Sequence, residues 1–236
     1  MKILQLQNNI NLKHNYSLFC FQPIENGFGL TLANSLSRTL ENDIFGTTVT
    51  GIYNDNIFFN SKNNLFKEDI LEIMFNIKNI VLRSNFFVDD ILTIPLTKKK
   101  IYTTNDIFLF NKNIKVIDKS IFLFTLMKIS DINVRLRVET GKGAKLNDDT
   151  FIEDNFVPID SVFTPVIKTN YKIKLIPFSF NGKEKLKESL FFELWTNKSI
   201  SSKRALYESI KILSSRFVNL LFEQKEEVFE DIRLVE

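Results

Sequence analysis

Proton-transfer or nucleophilic catalysis needs an activated side chain with a base beside it. This chain holds one histidine, His14, and one cysteine, Cys20. His14 sits in a polar N-terminal stretch and reads as a surface residue, while Cys20, between Phe19 and Phe21, reads as a small buried hydrophobe. A single cysteine cannot form an intrachain disulfide or a thiolate metal cage, and no zinc-type Cys/His spacing occurs. Two-metal phosphoryl chemistry would need converging carboxylates. The pairs Asp89-Asp90 and Asp148-Asp149 are candidates, but both fall between strand-like runs and read as solvated turns. Gly141-Lys142-Gly143 lacks the spacing and the following Ser/Thr of a Walker loop. Lys98-Lys99-Lys100 reads as a solvated turn rather than a DNA contact, and the phenylalanines alternate with aliphatic residues instead of interleaving with basic ones. The expectation is no catalytic residue, no metal and no cofactor.

Composition narrows the partners. With 31 Lys+Arg against 28 Asp+Glu the formal charge is +3, which gives no reason for a dedicated phosphate-binding surface, so contact with DNA is expected to be indirect. No run of about 18 apolar residues is present, and no membrane partner is expected. Met1 to Asn11 shows neither a secretory nor a transit-peptide pattern. Phe, Asn, Ile and Lys abound while alanine occurs only at Ala33, Ala144 and Ala205. These are residues of A/T-rich codons, as in a plastid genome or that of an A+T-rich bacterium. The expected location is therefore the plastid stroma, or else the cytoplasm of such a bacterium. At 236 residues and 44% hydrophobic, the chain can build one large domain or two small ones.

The elements that would position functional groups follow from periodicity. Tyr16 to Gln22 predicts a strand closed by Pro23, then a turn at Gly27 and Gly29 and a helix over Thr31–Asn42 with Leu32, Leu36 and Leu40 on one face. Thr48 to Asn60 predicts a hairpin turning at Asn54-Asp55-Asn56, and Lys67–Lys78 an amphipathic helix, acidic at its start and basic at its end. Short β runs follow at Ile80–Arg83, Phe86–Val88, Ile107–Phe110 and Ile121–Met127, and then Val134, Leu136 and Val138 alternate with Arg135, Arg137 and Glu139. A strand over Leu190–Trp195 leads to the N-cap candidate Ser201 and a long helix over Lys203–Glu223. Along that helix Leu206, Ile210, Leu213, Phe217 and Leu220 recur at steps of four and three, while Ile212, Val218 and Phe222 lie off the seam. The pattern fits either a monomer's core helix or a helix shared with a partner.

Five blocks carry a resemblance. Pro23 to Arg38 (PIENGFGLTLANSLSR) closely resembles the first strand-turn-helix of bacterial and plastid RNA polymerase alpha subunits, where a GFG turn runs into T-L-x-N-x-L and two basic residues. Glu68 to Ile73, continued by Asn76-Ile77-Lys78, resembles that family's E-D-I-L-E-I helix ending in N-L-K. Val138 to Gly143 resembles its V-x-x-G-R-G turn. Pro158 to Val166 with Asn170-Tyr171 resembles P-I-D-x-x-F-S-P-V-x-x-x-N-Y, and Glu193 to Ile200 resembles E-I-W-T-N-G-S-I.

The resemblance implies an α+β fold: a discontinuous dimerisation lobe, 1–46 with 166–236, made of a sheet and two packing helices, and an inserted β-rich lobe, 47–165. It implies a DNA-directed RNA polymerase subunit that does no chemistry itself, pairs with a second copy or another alpha-type chain, and scaffolds the beta and beta-prime subunits. The dimer interface carried over comprises Leu32, Leu36, Leu40, Leu206, Ile210, Leu213, Phe217 and Leu220. The large-subunit contacts are Arg38, Lys78, Ile159, Asp160, Phe163, Pro165 and Val166. Ser37 departs from the family by replacing the first basic residue, and Glu41 by standing where an apolar residue is usual, so that docking surface has changed. The chain ends soon after the closing helix, which implies no C-terminal DNA-binding domain. The alternative, from another functional class, is a stand-alone nucleic-acid-binding protein with an inserted β domain.

Overall fold

A computed structural model of the chain describes residues 2–11, 14–53, 65–96, 101–107, 114–128, 132–146, 156–180 and 183–233. Along the chain run β1 (Lys2–Ile10), β2 (Asn15–Ile24), α1 (Phe28–Asn42), β3 (Gly46–Tyr53), α2 (Ile70–Lys78), β4 (Leu82–Ser84), β5 (Asp89–Leu96) and β6 (Ile101–Thr103). A 3-10 turn over Thr104–Asp106 leads to β7 (Ile114–Val116), β8 (Phe122–Thr125), β9 (Ile132–Gly141), β10 (Ala144–Lys145), β11 (Phe156–Pro158) and β12 (Ser161–Val162). The chain closes with β13 (Val166–Phe180), β14 (Lys183–Thr196) and α3 (Ser202–Arg233). The fold is α+β with antiparallel sheets, and it divides into two compact units: Met1–Ile44 with Val166–Glu236, and Phe45–Pro165.

The unit built from the chain ends is a four-stranded sheet in the order β1-β2-β14-β13. Leu190, Phe192 and Leu194 alternate along β14 onto one face and are fully buried with Phe19 and Phe21 of β2; the Phe21 and Phe192 rings meet edge-on at 6.5 Å. Ala33, Leu36 and Leu40 of α1, with Ala205 and Leu206 of α3, complete that core. Cys20 is buried, as its apolar neighbours predict. At the start of α3 the Ser201 hydroxyl accepts from the Arg204 N–H at 3.4 Å, the capping role its position predicts.

The 45–165 unit is organised by β9 at the heart of a sheet ordered β5-β9-β3-β4-β7, with β11 also paired to β3. The predicted alternation holds: Val134, Leu136 and Val138 point inward, and in register with them β5 buries Ile94 and Leu92. On α2 the buried face is Ile73 and Ile77. Asp69 caps the first turn through Ile70 N (2.8 Å), and Glu68 accepts from Thr125 N (2.6 Å), so the acidic start predicted for this helix caps its first turn and ties it to β8.

The first strand expected over Thr48–Asn60 is β3, paired with β9 and β4, while the turn Asn54-Asp55-Asn56 and the second strand lie outside the described residues. Three expectations change. Phe86–Val88 is no strand, because the Ser84 hydroxyl bonds both the N–H and the carbonyl of Phe86 and closes a local turn. Asp89-Asp90 begins β5 instead of marking a turn. Strands β1 and β13 were not foreseen; Lys2–Ile10 is exposed throughout, so no buried face imprints a period on it. Lys98-Lys99-Lys100, Asp148-Asp149 and most of Ile107–Phe110 lie outside the described residues.

Two paired glycines, Gly46 and Gly141, make room for Phe163. The Phe163 ring lies 3.1 Å from where a Cβ on Gly141 would be, and a Cβ on Gly46 would fall 1.7 Å from the Phe163 carbonyl oxygen. Gly46→Ala should therefore destabilise this unit by more than about 3 kcal/mol, read by hydrogen exchange of the β3 and β9 amides. Unchanged protection there would show that the segment carrying Phe163 is not packed as described.

Candidate protein-docking site

The residues that could do chemistry are spread over both units of the fold. His14 is half-buried and its carbonyl accepts from Asn11 N (3.0 Å). Asp89 pairs with Arg137 at 3.4 Å, and Asp90 accepts its neighbour Ile91's N–H. These residues and Phe156 line an open cleft of about 320 Å³. Lys142 lies over the Phe45 ring at 4.3 Å and so makes a cation–π contact rather than part of a phosphate loop. Among the described residues no group of His, Cys, Asp and Glu is arranged to hold a metal ion, and no helix is long and apolar enough to cross a membrane.

What the structure positions with care is α1. This helix starts at Gly27 (φ 88°), has no side-chain cap of its own and has no acidic residue in its first turn. The cap comes from 161 residues away: Glu188 of β14, 7% exposed, accepts from Gly27 N and Gly29 N at 2.8 Å each. Gly29 permits this approach, since a Cβ there would meet a Glu188 carboxylate oxygen at 2.5 Å. The G-F-G turn is thus a left-handed corner followed by a carboxylate-binding amide. Glu188 was missed in the sequence, although it is in phase with the buried row Leu190, Phe192 and Leu194.

Around α1 three faces separate. Ala33, Leu36 and Leu40 face the core. On the flank towards β13, Asn34 accepts from the Tyr171 hydroxyl (2.8 Å), Ser37 bonds Thr169, and Thr169 donates to Glu41 (2.6 Å). Arg38 points outward, exposed, and among the described residues no side chain pairs with its guanidinium. The Arg216–Asp43 ion pair (2.7 Å) fastens α3 to the C-cap of α1.

The contact residues carried over from the resemblance divide by burial. Arg38, Lys78 and Asp160 are exposed. Ile159, Phe163, Pro165 and Val166 are turned inward. Strand-like alternation explains this: Ser161 is pinned through its hydroxyl to the Val49 carbonyl (2.8 Å) and Ile159 N bonds Thr50 O, so Asp160 and Val162 face solvent. The four inward residues hold the segment and cannot themselves offer a surface. The interface set divides likewise. Leu36, Leu40 and Leu206 are spent in their own core and are corrected to core residues, whereas Leu32, Ile210 and Leu213 are half-buried. Phe217 (61%) and Leu220 (57%) are exposed, and so are Val218 and Leu221 beside them.

Comparison with known proteins adds to this. The model of the RNA polymerase Rpb3/RpoA insert domain matches residues 61–164. The DNA-directed RNA polymerase subunit alpha of Rhodomonas salina is 31% identical over 230 residues, covering 94% of this chain and 72% of the relative. The same subunit of Pyrenomonas salina is 32% identical over 233 residues (94% and 72%), and that of Olimarabidopsis pumila 33% over 215 residues (91% and 64%).

If Glu188 holds α1, Glu188→Ala should cost about 2–4 kcal/mol, one buried and one part-buried hydrogen bond to a carboxylate, and speed amide exchange at Gly27 and Gly29. Glu188→Gln should recover only part, because its amide nitrogen would face a second donor. Wild-type exchange at both glycines in the alanine variant would refute the clamp.

Proposed function

Because the chain belongs to the family of DNA-directed RNA polymerase alpha subunits, we propose that it serves as the non-catalytic scaffold of that enzyme. Two copies pair through α3 and the adjoining flank of α1 in the lobe 1–46/166–236, an isologous contact. The pair then docks beta and beta-prime through Arg38, Lys78 and the outward side chains Asp160 and Val162. Polymerisation chemistry belongs to the large subunits, and DNA is met only through the assembly. The A/T-codon composition and the kinship with algal and plant subunits support a plastid stroma.

The observation that carries this reading is at α3. Past Arg216 the helix exposes Phe217, Val218, Leu220 and Leu221 together. Apolar side chains on neighbouring positions of one helix call for a cover, and a second α3 crossing at a shallow angle supplies it. Arg38 complements this on another face, as a rigid fork of donors suited to carboxylates or carbonyls.

Phe217→Asp should dissociate the pair, because a carboxylate in a closed apolar seam is uncompensated; size-exclusion elution should shift to the single-chain position, and an unshifted peak would displace the interface. Arg38→Ala should keep the pair and weaken capture of a large subunit about tenfold in a pull-down. Loss of pairing with normal capture would invert the assignment.

A further inference from the structure

The four-stranded sheet built from the chain ends packs α1 and α3 on one face. Tyr171 and Ile173 of β13, in register with Phe192 and Leu190 of β14, belong to that core. By alternation Lys168, Lys172 and Lys174 of β13 stand on the other face, in register with Trp195, Phe191 and Ser189 of β14. Further along the hairpin Lys187 and Lys185 lie opposite Ile176 and Phe178 on that same face. Tyr16 of β2 lies beside Trp195, with the ring centroids 5.0 Å apart. Basic and aromatic side chains are thus interleaved across strands, at positions too far apart in the chain for a local pattern to show.

Lys168, Lys172, Lys174 and Lys185 are exposed. Among the described residues Glu193 is the carboxylate that these strands place on the lysine face, and it is already bonded, receiving the Tyr16 hydroxyl and the Asn170 amide. Lys187 has a long 3.9 Å pair with the exposed Glu25. Lys172 and Lys174 are two residues apart on one side of a strand, about 7 Å, inside the Debye length of about 8 Å at physiological salt. In a chain whose formal charge is +3, cations gathered on one sheet face repel one another until an anion arrives. The Lys168 and Lys174 ammonium groups stand 5.6 and 5.4 Å from the ring centroids of Trp195 and Phe191. A ring for a base and an ammonium for the phosphate beside it suit a single strand of nucleic acid. An acidic polypeptide would use the lysines and leave the rings without a role.

We infer that the helix-free face of this sheet binds single-stranded RNA, with bases against Trp195, Tyr16 and Phe191 and phosphates against the lysines of β13 and β14. An antiparallel sheet with helices behind it and aromatic rings on its free face is a proven platform for unpaired bases. RNA is the product of the polymerases whose alpha family includes this chain, so the strand is at hand wherever the assembled enzyme works. The face lies opposite α1 and α3, and the inference goes beyond the pairing and docking roles without depending on either.

The test is titration of the full chain with an oligouridylate, alongside the matching deoxy strand, a DNA duplex and poly-glutamate. Trp195 is the chain's single tryptophan, so its own emission reports this face. The RNA should bind and quench it, and log K should fall with log salt by about 0.7 for each phosphate engaged. Lys172→Ala combined with Lys174→Ala should weaken binding about tenfold and flatten that slope, with the melting temperature and the solution mass unchanged. Absence of binding, binding undiminished in the double variant, or binding that leaves Trp195 emission unaltered would overturn the inference. Poly-glutamate bound as tightly as the RNA would overturn it in favour of an acidic protein partner, and a preference for the deoxy strand or the duplex would overturn it in favour of DNA.

Discussion

A carboxylate from one strand holds the start of α1: Glu188 of β14 accepts from Gly27 N and Gly29 N. Without Glu188, α1 would begin at a glycine with the amides of Gly27 and the buried Gly29 unpaired, a cost that is a sizeable fraction of the margin by which many domains are folded. With it, the rotation of α1 about its axis is set from one end by Glu188 and along its length by Asn34, Ser37 and Glu41 bonding to β13. The other end is tied by Asp43 to Arg216 of α3. Helix α1 is therefore held in a fixed orientation, with Leu36 and Leu40 consumed in the core and Arg38 exposed.

Much of this was legible in the sequence and some of it could not have been. The strand at β9 announced itself because one face is core and the other solvent, so Val134, Leu136 and Val138 alternate with charge. Helix α2 was readable from its amphipathic pattern, with acidic residues at its start and a lysine at its end. By contrast β1, exposed on every residue, carries no burial period to read. Periodicity also could not separate residues covered by their own chain from those left exposed: Leu40 and Phe217 look alike in a pattern, yet one is fully buried and the other open. Pairs such as Thr169 with Glu41, far apart in the chain, leave no local signal at all.

The resembling blocks turn out to encode mainly backbone requirements. Gly29 admits a carboxylate, Gly141 admits the Phe163 ring, and Glu193 receives the Tyr16 hydroxyl (3.0 Å) and the Asn170 amide (2.8 Å). Burial, then the nearby Glu193 charge and hydrogen bond, raise the Tyr16 hydroxyl above its ordinary pKa and keep it a donor. Lys198 stands where the family pattern has glycine and adopts φ 71°, a left-handed conformation that costs a side-chain-bearing residue about 1–2 kcal/mol. The turn persists because Asn197 accepts from both the N–H and hydroxyl of Ser199, and Thr196 bonds Ile200 O. Fold-keeping positions are thus retained even at a cost, while the outer surface of α1 has changed its charge.

Phe217, Val218, Leu220 and Leu221 of α3 lie exposed together, and the proposed pairing requires that a second copy of the chain cover them. Sedimentation equilibrium of the pure, unmodified protein tests this without any partner present. Twice the 27.6 kDa chain mass, persisting on dilution into the micromolar range and unaffected by salt, is the result the apolar seam requires. A stable single-chain mass under the same conditions would contradict it.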